Sequence, residues 1–180
     1  MARLKLATVW LGGCSGCHMS FLDLDEWLLE LATLADLVYS PFLDVKDFPE
    51  AVDVTLVEGA VANEDHLRQA LLIRERSRVL VSFGDCAVTG NVTAWRNVLG
   101  DRGAVLARSY LELATLHPGI PAEAGVLPAL TDRVRPVHQV VPVDYYLPGC
   151  PPPADRIRAV LGALLAGREP HLEGRQIKFG

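Results

Sequence analysis

The sequence predicts an α/β protein built on a doubly wound parallel sheet, and two patterns carry this prediction. Short apolar runs alternate along the chain with segments whose apolar residues recur at helical spacing, which is typical of parallel strands joined by crossover helices. The runs are apolar at nearly every position, as strands are when helices cover both faces of a sheet. A length of 180 residues fits one domain. We place that domain over residues 1–166, followed by a mostly polar C-terminal tail at 167–180.

Five apolar runs are the predicted strands. The first, residues 4–10, leads into Gly12-Gly13, and a glycine also follows closely on two later runs. The other four runs are residues 36–43, 52–57, 78–83 and 137–143.

Three segments are the predicted helices. Residues 18–35 carry apolar side chains at spacings of three and four, and residues 63–76 begin at Asn63, whose side chain suits an N-cap. A last helix follows the prolines at 151–153 and has one apolar stripe, formed by Ile157, Val160, Leu161, Leu164 and Leu165. We expect short helices and long loops at 87–135, where glycine and proline are frequent.

The composition excludes several classes of protein. With 50% hydrophobic and 22% charged residues the chain is not disordered, and its net charge of −5 argues against a nucleic-acid partner. No apolar stretch reaches the roughly 20 residues of a membrane span, and the N-terminus resembles no targeting signal. We therefore expect a cytoplasmic protein, in which thiols stay reduced and can bind metal.

Four cysteines follow predicted strands, in glycine- or proline-rich turns. Cys14 and Cys17 come after the first strand, Cys86 after the fourth and Cys150 after the fifth. Because the carboxyl ends of parallel strands meet at one edge of a sheet, we expect the four thiols to lie together.

An iron–sulfur cluster held by all four thiolates is the use that best fits this placement. Glycines let the backbone approach a cluster closely, and prolines stiffen the loops. Three alternatives stay open: four thiols buried as packing, a structural zinc site, and a redox dithiol at Cys14 and Cys17. Zinc sites usually show two close cysteine pairs, whereas here only one pair is close.

Four motifs follow one another along the chain: Leu11-Gly12-Gly13-Cys14-Ser15-Gly16-Cys17, Glu58-Gly59-Ala60-Val61, Gly84-Asp85-Cys86-Ala87 and Pro148-Gly149-Cys150-Pro151-Pro152. Together they resemble the small subunits of nickel–iron hydrogenases and, in altered form, the cluster-bearing subunit of respiratory NADH:quinone oxidoreductase. The resemblance spans residues 4 to about 165. Within the hydrogenase family the chain is most similar to the small (delta) subunits of the soluble, NAD-reducing group. It shows neither the twin-arginine signal nor the further cluster-binding extension of the membrane-bound enzymes, and it has Cys-x-x-Cys where respiratory subunits have two adjacent cysteines.

The resemblance implies a flavodoxin-like fold and a role in electron transfer. It implies that Cys14, Cys17, Cys86 and Cys150 hold one proximal 4Fe–4S cluster, that the nickel–iron centre lies in a large partner subunit, and that iron–sulfur and flavin subunits pass the electrons on to NAD. No catalytic residue is expected in this chain. One departure is Gly13, where many respiratory relatives carry an acidic residue, which puts a proton route at that position in doubt.

Two other functions remain open. The chain could be the cluster-bearing subunit of a quinone reductase related to complex I, or a flavodoxin-like module that binds FMN, since Gly12-Gly13 and Gly16 could cradle a flavin phosphate.

Several residues near the cysteines or on the first helix have predicted roles. We expect Glu58 to contact a partner or an N–H group of a cysteine loop, and His18 to be a hydrogen-bond donor near the cluster or an interface residue. Trp10 is expected to pack in the core, with shielding of the cluster as the second choice. Three apolar side chains lie off the main stripe of the first helix and are predicted to face a partner: Leu22, Trp27 and Leu29.

Overall fold

The computed structural model describes residues 3–177 and 179, and within them the chain forms seven strands. In chain order the strands are β1 Leu4–Trp10, β2 Ala35–Tyr39, β3 Val52–Glu58, β4 Val61–Asn63, β5 Ser77–Phe83, β6 Leu130–Arg135 and β7 Tyr145–Leu147.

The helices are mostly short. The α-helices are α1 Gly16–Leu22, α2 Trp27–Leu34, α3 Glu64–Arg76, α4 Asp85–Thr89, α5 Arg102–Ala107 and α6 Ala154–Leu165. A 3₁₀ helix spans Asn91–Leu99, a π-helical turn spans Arg108–Glu112, and shorter 3₁₀ turns span Val137–Gln139 and Gly174–Ile177.

Five strands form one parallel sheet in the order β2-β1-β3-β5-β7, which confirms the predicted doubly wound fold. Alternate residues of a strand enter opposite cores, so Leu56 packs with α1, α2 and α6 while its neighbour Val57 packs with α3. This explains the apolar runs, because both faces of each central strand are covered. Asn63 caps α3 as predicted, accepting a hydrogen bond from the His66 N–H at 2.8 Å.

The prediction of one continuous helix over residues 18–35 is wrong, because this segment forms two helices. The chain leaves the helical path after Leu22, and Asp25 takes the left-handed conformation at φ 49° before α2 begins at Trp27. In a straight helix Trp27 would lie about 120° around the axis from Phe21, at roughly 100° per residue. The break turns Trp27 into the same core as Phe21, where only 8% of it is exposed. The prediction that Trp27 faces a partner is therefore also wrong.

The predicted strand at 137–143 is wrong as well. Val137 and Val141 are buried, but Val137 lies in the 3₁₀ turn Val137–Gln139 and Val141 lies just after it, and the fifth strand of the sheet is β7 instead. Pro142 has no N–H to give to a ladder, and a short apolar run does not by itself distinguish a strand from another buried segment. The second strand ends at Tyr39 rather than 43, since a turn at Ser40 and Pro41 follows.

Residues 87–135 contain the expected short helices and loops, together with one pairing that the sequence did not predict. β4 and β6 form a separate antiparallel pair, with Val61 opposite Arg135. In the tail, the Arg175 carbonyl accepts a hydrogen bond from Arg156 at 3.0 Å. Among the residues that the structure describes, no helix combines the length and apolar character that crossing a membrane requires.

Candidate metal centre

The four cysteines follow the carboxyl ends of three strands of the sheet, β1, β5 and β7. Cys14 follows β1, Cys17 lies in the first turn of α1, Cys86 lies in α4 directly after β5, and Cys150 follows β7. Cys17 and Cys86 are buried, and Cys14 and Cys150 are exposed. The sheet thus gathers the four positions at one edge, as the sequence predicted.

Backbone hydrogen bonds join the first cysteine loop to the turn after β3. Gly12 and Ala60 exchange two hydrogen bonds, of 2.9 and 2.8 Å, in an isolated antiparallel bridge. The Thr93 hydroxyl donates to the Gly12 carbonyl at 2.9 Å. The loop that carries Cys14 and Cys17 is therefore held from two sides.

The second and third cysteine loops are joined to each other. Asp85 N–H donates to the Gly149 carbonyl at 2.9 Å, and Gly149 N–H donates to the Asp85 carboxylate at 2.6 Å. Gly84 N–H donates to the Leu147 carbonyl at 2.8 Å. These bonds fix the relative positions of Cys86 and Cys150.

Gly84 brings the second loop against the first. A Cβ atom on Gly84 would lie 2.1 Å from the sulfur of Cys17, and the φ of +81° favours glycine in any case. Only a residue without a side chain lets β5 end this close to the Cys17 thiol. Such a close approach of the backbone, here called the cradle, is expected around a bulky group that the cysteine sulfurs bind.

The electrostatics of the thiols show that the four groups influence one another. Burial raises the pKa of the Cys17 thiol, and the Glu58 carboxylate and the other three cysteines raise it further. Burial also raises the pKa of Cys86, with Cys14 and Cys150 adding to the effect, while hydrogen bonds from Thr93 act in the opposite direction. Thiolates at Cys17 and Cys86 are therefore disfavoured here unless a cationic group lies beside them.

The donor set fits an iron–sulfur cluster better than a single ion. A zinc ion would need its thiolates about 2.3 Å from one point. Within residues 3–177 and 179, no three His, Cys, Asp or Glu side chains are grouped closely enough to hold a lone metal ion. Four thiols at one edge, with a glycine cradle beside them, suit a larger polynuclear group.

Two polar residues near the sulfurs were missed by sequence reasoning. The Asn91 side-chain amide donates to the Cys150 sulfur at 3.4 Å, and Thr93 lies close enough to Cys86 to lower the pKa of its thiol. Both residues lie on the 3₁₀ helix Asn91–Leu99. The signal available in the sequence was the Gly90-Asn91 turn, only a few residues after Cys86.

Glu58 and His18 form a buried pair beside Cys17. The Glu58 carboxylate accepts from the His18 backbone N–H at 3.0 Å and also contacts the ring Nδ1 of His18. This confirms the expectation that Glu58 contacts an N–H of a cysteine loop. The His18 Nε2 atom is buried with no hydrogen-bond partner in the part of the protein covered by the structure, and its ring meets the edges of Phe42 and Phe83 at 5.6 and 6.2 Å.

Trp10 and Gly13 lie next to that pair. Trp10 is 46% exposed, so the prediction that it packs in the core is wrong. A Cβ atom on Gly13 would lie 3.5 Å from both the Glu58 Oε1 and the Trp10 Nε1 atoms. A side chain at this position would thus contact Glu58. The position at which this chain has glycine instead of an acidic residue therefore lies beside the buried carboxylate.

The fold and the gathered thiols define a flavodoxin-like protein whose cysteine loops share one sheet edge. The family model described as NADH ubiquinone oxidoreductase, 20 kDa subunit, matches residues 14–164, and the chain belongs to that family. The curated relatives described next are hydrogenase subunits, as the sequence motifs predicted.

Two curated relatives differ in the hydrogenase to which they belong and in how much of their length this chain covers. The delta subunit of the NAD-reducing hydrogenase HoxS of Cupriavidus necator is 42% identical over 92% of this chain and 80% of the relative. A subunit of the F420-non-reducing hydrogenase of Methanothermobacter marburgensis is 40% identical over 93% of this chain, which spans 55% of that longer protein.

Solved structures agree with this grouping. A chain of an NAD+-reducing [NiFe]-hydrogenase, crystallised in the H2-reduced state, superposes with a TM-score of 0.93 at 39% identity, covering 99% of this chain and 100% of that one. A Ni-Fe-Se hydrogenase from Desulfomicrobium baculatum gives a TM-score of 0.61 at 18% identity, covering 97% of this chain and 69% of that one, which shows a common fold.

Proposed function

We propose that this chain is the electron-transfer small subunit of a nickel–iron hydrogenase that couples hydrogen oxidation to NAD reduction. In this proposal Cys14, Cys17, Cys86 and Cys150 are the protein ligands of one 4Fe–4S cluster. The chain relays electrons from a nickel–iron centre in a large partner subunit towards iron–sulfur and flavin subunits that reduce NAD. We expect this complex to work in the cytoplasm, where thiols stay reduced.

The observation that carries the proposal is the convergence of four thiols from three loops at one edge of the sheet. A bound cluster supplies one-electron transfer there. The chain's own residues supply the thiolates, hold the loops through the Gly12–Ala60 and Asp85–Gly149 hydrogen bonds, and exclude water around Cys17 and Cys86, which are both buried.

Coupling to NAD is supported by the relatives that match this chain over most of both lengths. The HoxS delta subunit and the solved NAD+-reducing hydrogenase chain are both covered over four fifths of their length or more. The F420-non-reducing relatives are much longer, since this chain spans 55% of the two from Methanothermobacter.

Large partner subunits are supported by the apolar surface that the chain exposes. Exposed side chains are concentrated in residues 92–127, including Trp95 at 72% and Val98 at 87% exposure. A monomer seldom leaves so many large apolar groups in one region uncovered. Leu22 on α1 and Leu29 on α2 are exposed as well, so both side chains are available to a partner.

A second candidate function is the cluster-bearing subunit of a quinone reductase related to complex I. The description of the matching family favours it. It would use the same four thiols but would place the chain between a flavin module and a quinone site. The FMN-module alternative leaves the convergence of four thiols without a purpose.

Single serine substitutions of the four cysteines test the cluster assignment. In the purified complex, Cys86→Ser should lose most of the corresponding EPR signal and cluster-bound iron, because a buried hydroxyl is a poor substitute for a thiolate ligand. Ala87→Ser is the matched control, since it adds a hydroxyl at the neighbouring buried position and leaves every thiol in place. An unchanged cluster signal in Cys86→Ser would contradict the assignment of that residue.

A further inference from the structure

The 3₁₀ helix Asn91–Leu99 presents a polar side chain to one of the cysteines. The Asn91 amide donates to the Cys150 sulfur at 3.4 Å, while the Thr93 hydroxyl donates to the Gly12 carbonyl of the first cysteine loop at 2.9 Å. Cys150 lies at the exposed rim of the site, where its sulfur would otherwise meet water. The fixed Asn91 amide therefore donates to the Cys150 sulfur where a mobile water molecule otherwise would.

The backbone around Asn91 is arranged to aim this side chain. Gly90 and Asn91 both have positive φ values, 87° and 34°, a conformation that asparagine accepts better than most residues. The Asn91 backbone N–H donates to the Thr89 hydroxyl at 3.3 Å, and that hydroxyl in turn donates to the Asp85 carbonyl at 2.8 Å. The turn that holds Asn91 is thus tied to the loop that carries Cys86.

The rest of the helix is fastened to the β4–β6 pair, so Asn91 has a rigid support. Arg96 donates to the carbonyls of Ala62 and Thr131 at 2.9 and 2.8 Å. The Asn97 amide donates to the Val134 carbonyl at 2.9 Å and its oxygen accepts from the Val134 N–H at 2.8 Å. Asn97 lies on the same helix as Asn91, but its side-chain hydrogen bonds go to Val134 of β6 and not to a cysteine.

We propose that Asn91 is a positioning residue whose amide N–H fixes the Cys150 sulfur and raises the reduction potential of the group bound there. The inference rests on the proposed function, because it needs a cluster on Cys150. A hydrogen bond to a ligating sulfur stabilises the reduced, more negative state, and such bonds are among the factors that set the potentials of iron–sulfur clusters. An amide that is already oriented does this without reorganising as the electron arrives.

Three variants of the assembled complex test this role, each followed by an EPR-monitored redox titration. Asn91→Asp keeps the shape of the side chain, replaces the donor with an acceptor and should shift the cluster potential to a lower value and alter its EPR line shape. Asn91→Gly accepts the positive φ, removes the donor without adding charge and should shift the potential in the same direction by less. Asn97→Asp makes the matched charge change on the same helix. Its carboxylate can still accept from the Val134 N–H, and Arg96 still holds the helix, so the potential should stay close to that of the unsubstituted complex.

The outcomes separate this inference from the proposed function. An unchanged potential in Asn91→Asp, or an equal shift in Asn97→Asp, would overturn the role of Asn91. Loss of the cluster in both Asn91 variants, with retention in Asn97→Asp, would support the contact with Cys150. If the unsubstituted complex gave no cluster signal at all, the proposed function would fail first, and this inference with it.

Discussion

At the scale of single residues, Gly84 has the least room to change of any glycine near the site. Its missing side chain leaves space for the Cys17 sulfur, and its φ of +81° is a conformation that other residues rarely adopt. The two constraints can be separated experimentally, because other glycines of this chain carry only one of them.

Gly84→Ala should abolish assembly of the metal centre, since the new Cβ atom would lie 2.1 Å from Cys17 Sγ. Gly100→Ala is the control: it also has a positive φ, of +94°, but nothing lies within 4 Å of the new atom, so it should cost only about 1–3 kcal/mol of backbone strain. Iron content and thermal unfolding of both variants would measure the difference. Full iron content in Gly84→Ala would contradict the cradle.

His66, on α3, gives the fold a pH dependence of its own. Burial lowers the pKa of His66, and the nearby Asp65 only partly opposes the shift. A lowered pKa in the folded state means that the unfolded chain binds the proton more readily below about pH 6.5. The contribution of His66 to stability is therefore full above that pH and is lost as the pH falls through the folded-state value.

We expect His66→Gln to lose less unfolding free energy than the unsubstituted chain as the pH drops from 7 to 5. Denaturant titrations at several pH values would show this, with His171→Gln as the control, because His171 lies on an exposed stretch. Parallel pH profiles for His66→Gln and the unsubstituted chain would count against the assignment.

Single residues also show what the sequence could and could not predict about the site. The four cysteines were predictable because the thiols follow strands that end at one edge, and parallel topology then brings them together. Asn91 was not, because its contact with Cys150 depends on a turn geometry that no residue pattern specifies. Trp10 was predicted to pack in the core and is exposed, whereas Trp27 was predicted to face a partner and is buried. The burial of Trp27 depends on the local break before α2, which apolar spacing does not reveal.

At the scale of elements, prediction succeeded where one periodicity persisted over a whole segment. The strands β1, β3 and β5, together with α3, were found almost to the residue. The failures share a cause: an apolar stripe of helical spacing continues across the break at Asp25, and Val137 and Val141 are buried without joining a ladder. Burial was predicted correctly there, but the backbone conformation that achieves it was not.

Helix α6 offers a test of packing at this scale. Gly162→Ala adds a Cβ atom with nothing within 4 Å, and alanine is favoured over glycine in a helix interior by roughly 0.5–1 kcal/mol. We expect that gain in unfolding free energy, measured by denaturant titration. Gly103→Ala in α5 should gain less, because its new atom would lie 3.0 Å from the Asp101 oxygen that caps the helix. Equal gains would argue against this interpretation of the two environments.

At the scale of the whole molecule, the exposed apolar segment at 92–127 should be buried in the complex. Val98→Glu places a charge on a side chain that is 87% exposed, so the isolated chain should fold normally while its recovery with the large subunit falls several-fold. Leu71→Glu is the matched control on α3, on a side chain that is 52% exposed. Co-purification of equal amounts of partner with both variants would contradict the placement of the interface.

The proposed relay role predicts a separation of activities across the whole complex. In that proposal the four thiols are committed to one cluster, and no Gly-x-Gly-x-x-Gly nucleotide fingerprint follows a strand in this sequence, so neither the hydrogen chemistry nor the NAD chemistry is expected here. A Cys86→Ser complex that keeps its fold should therefore lose hydrogen-dependent NAD reduction while retaining NADH oxidation by an artificial acceptor at the flavin end. Both rates can be measured on one preparation, with Ala87→Ser as the control that retains both. Hydrogen-dependent NAD reduction at the unsubstituted rate, in a preparation shown to lack the cluster, would mean that electrons bypass this chain, and its part in the complex would then be structural.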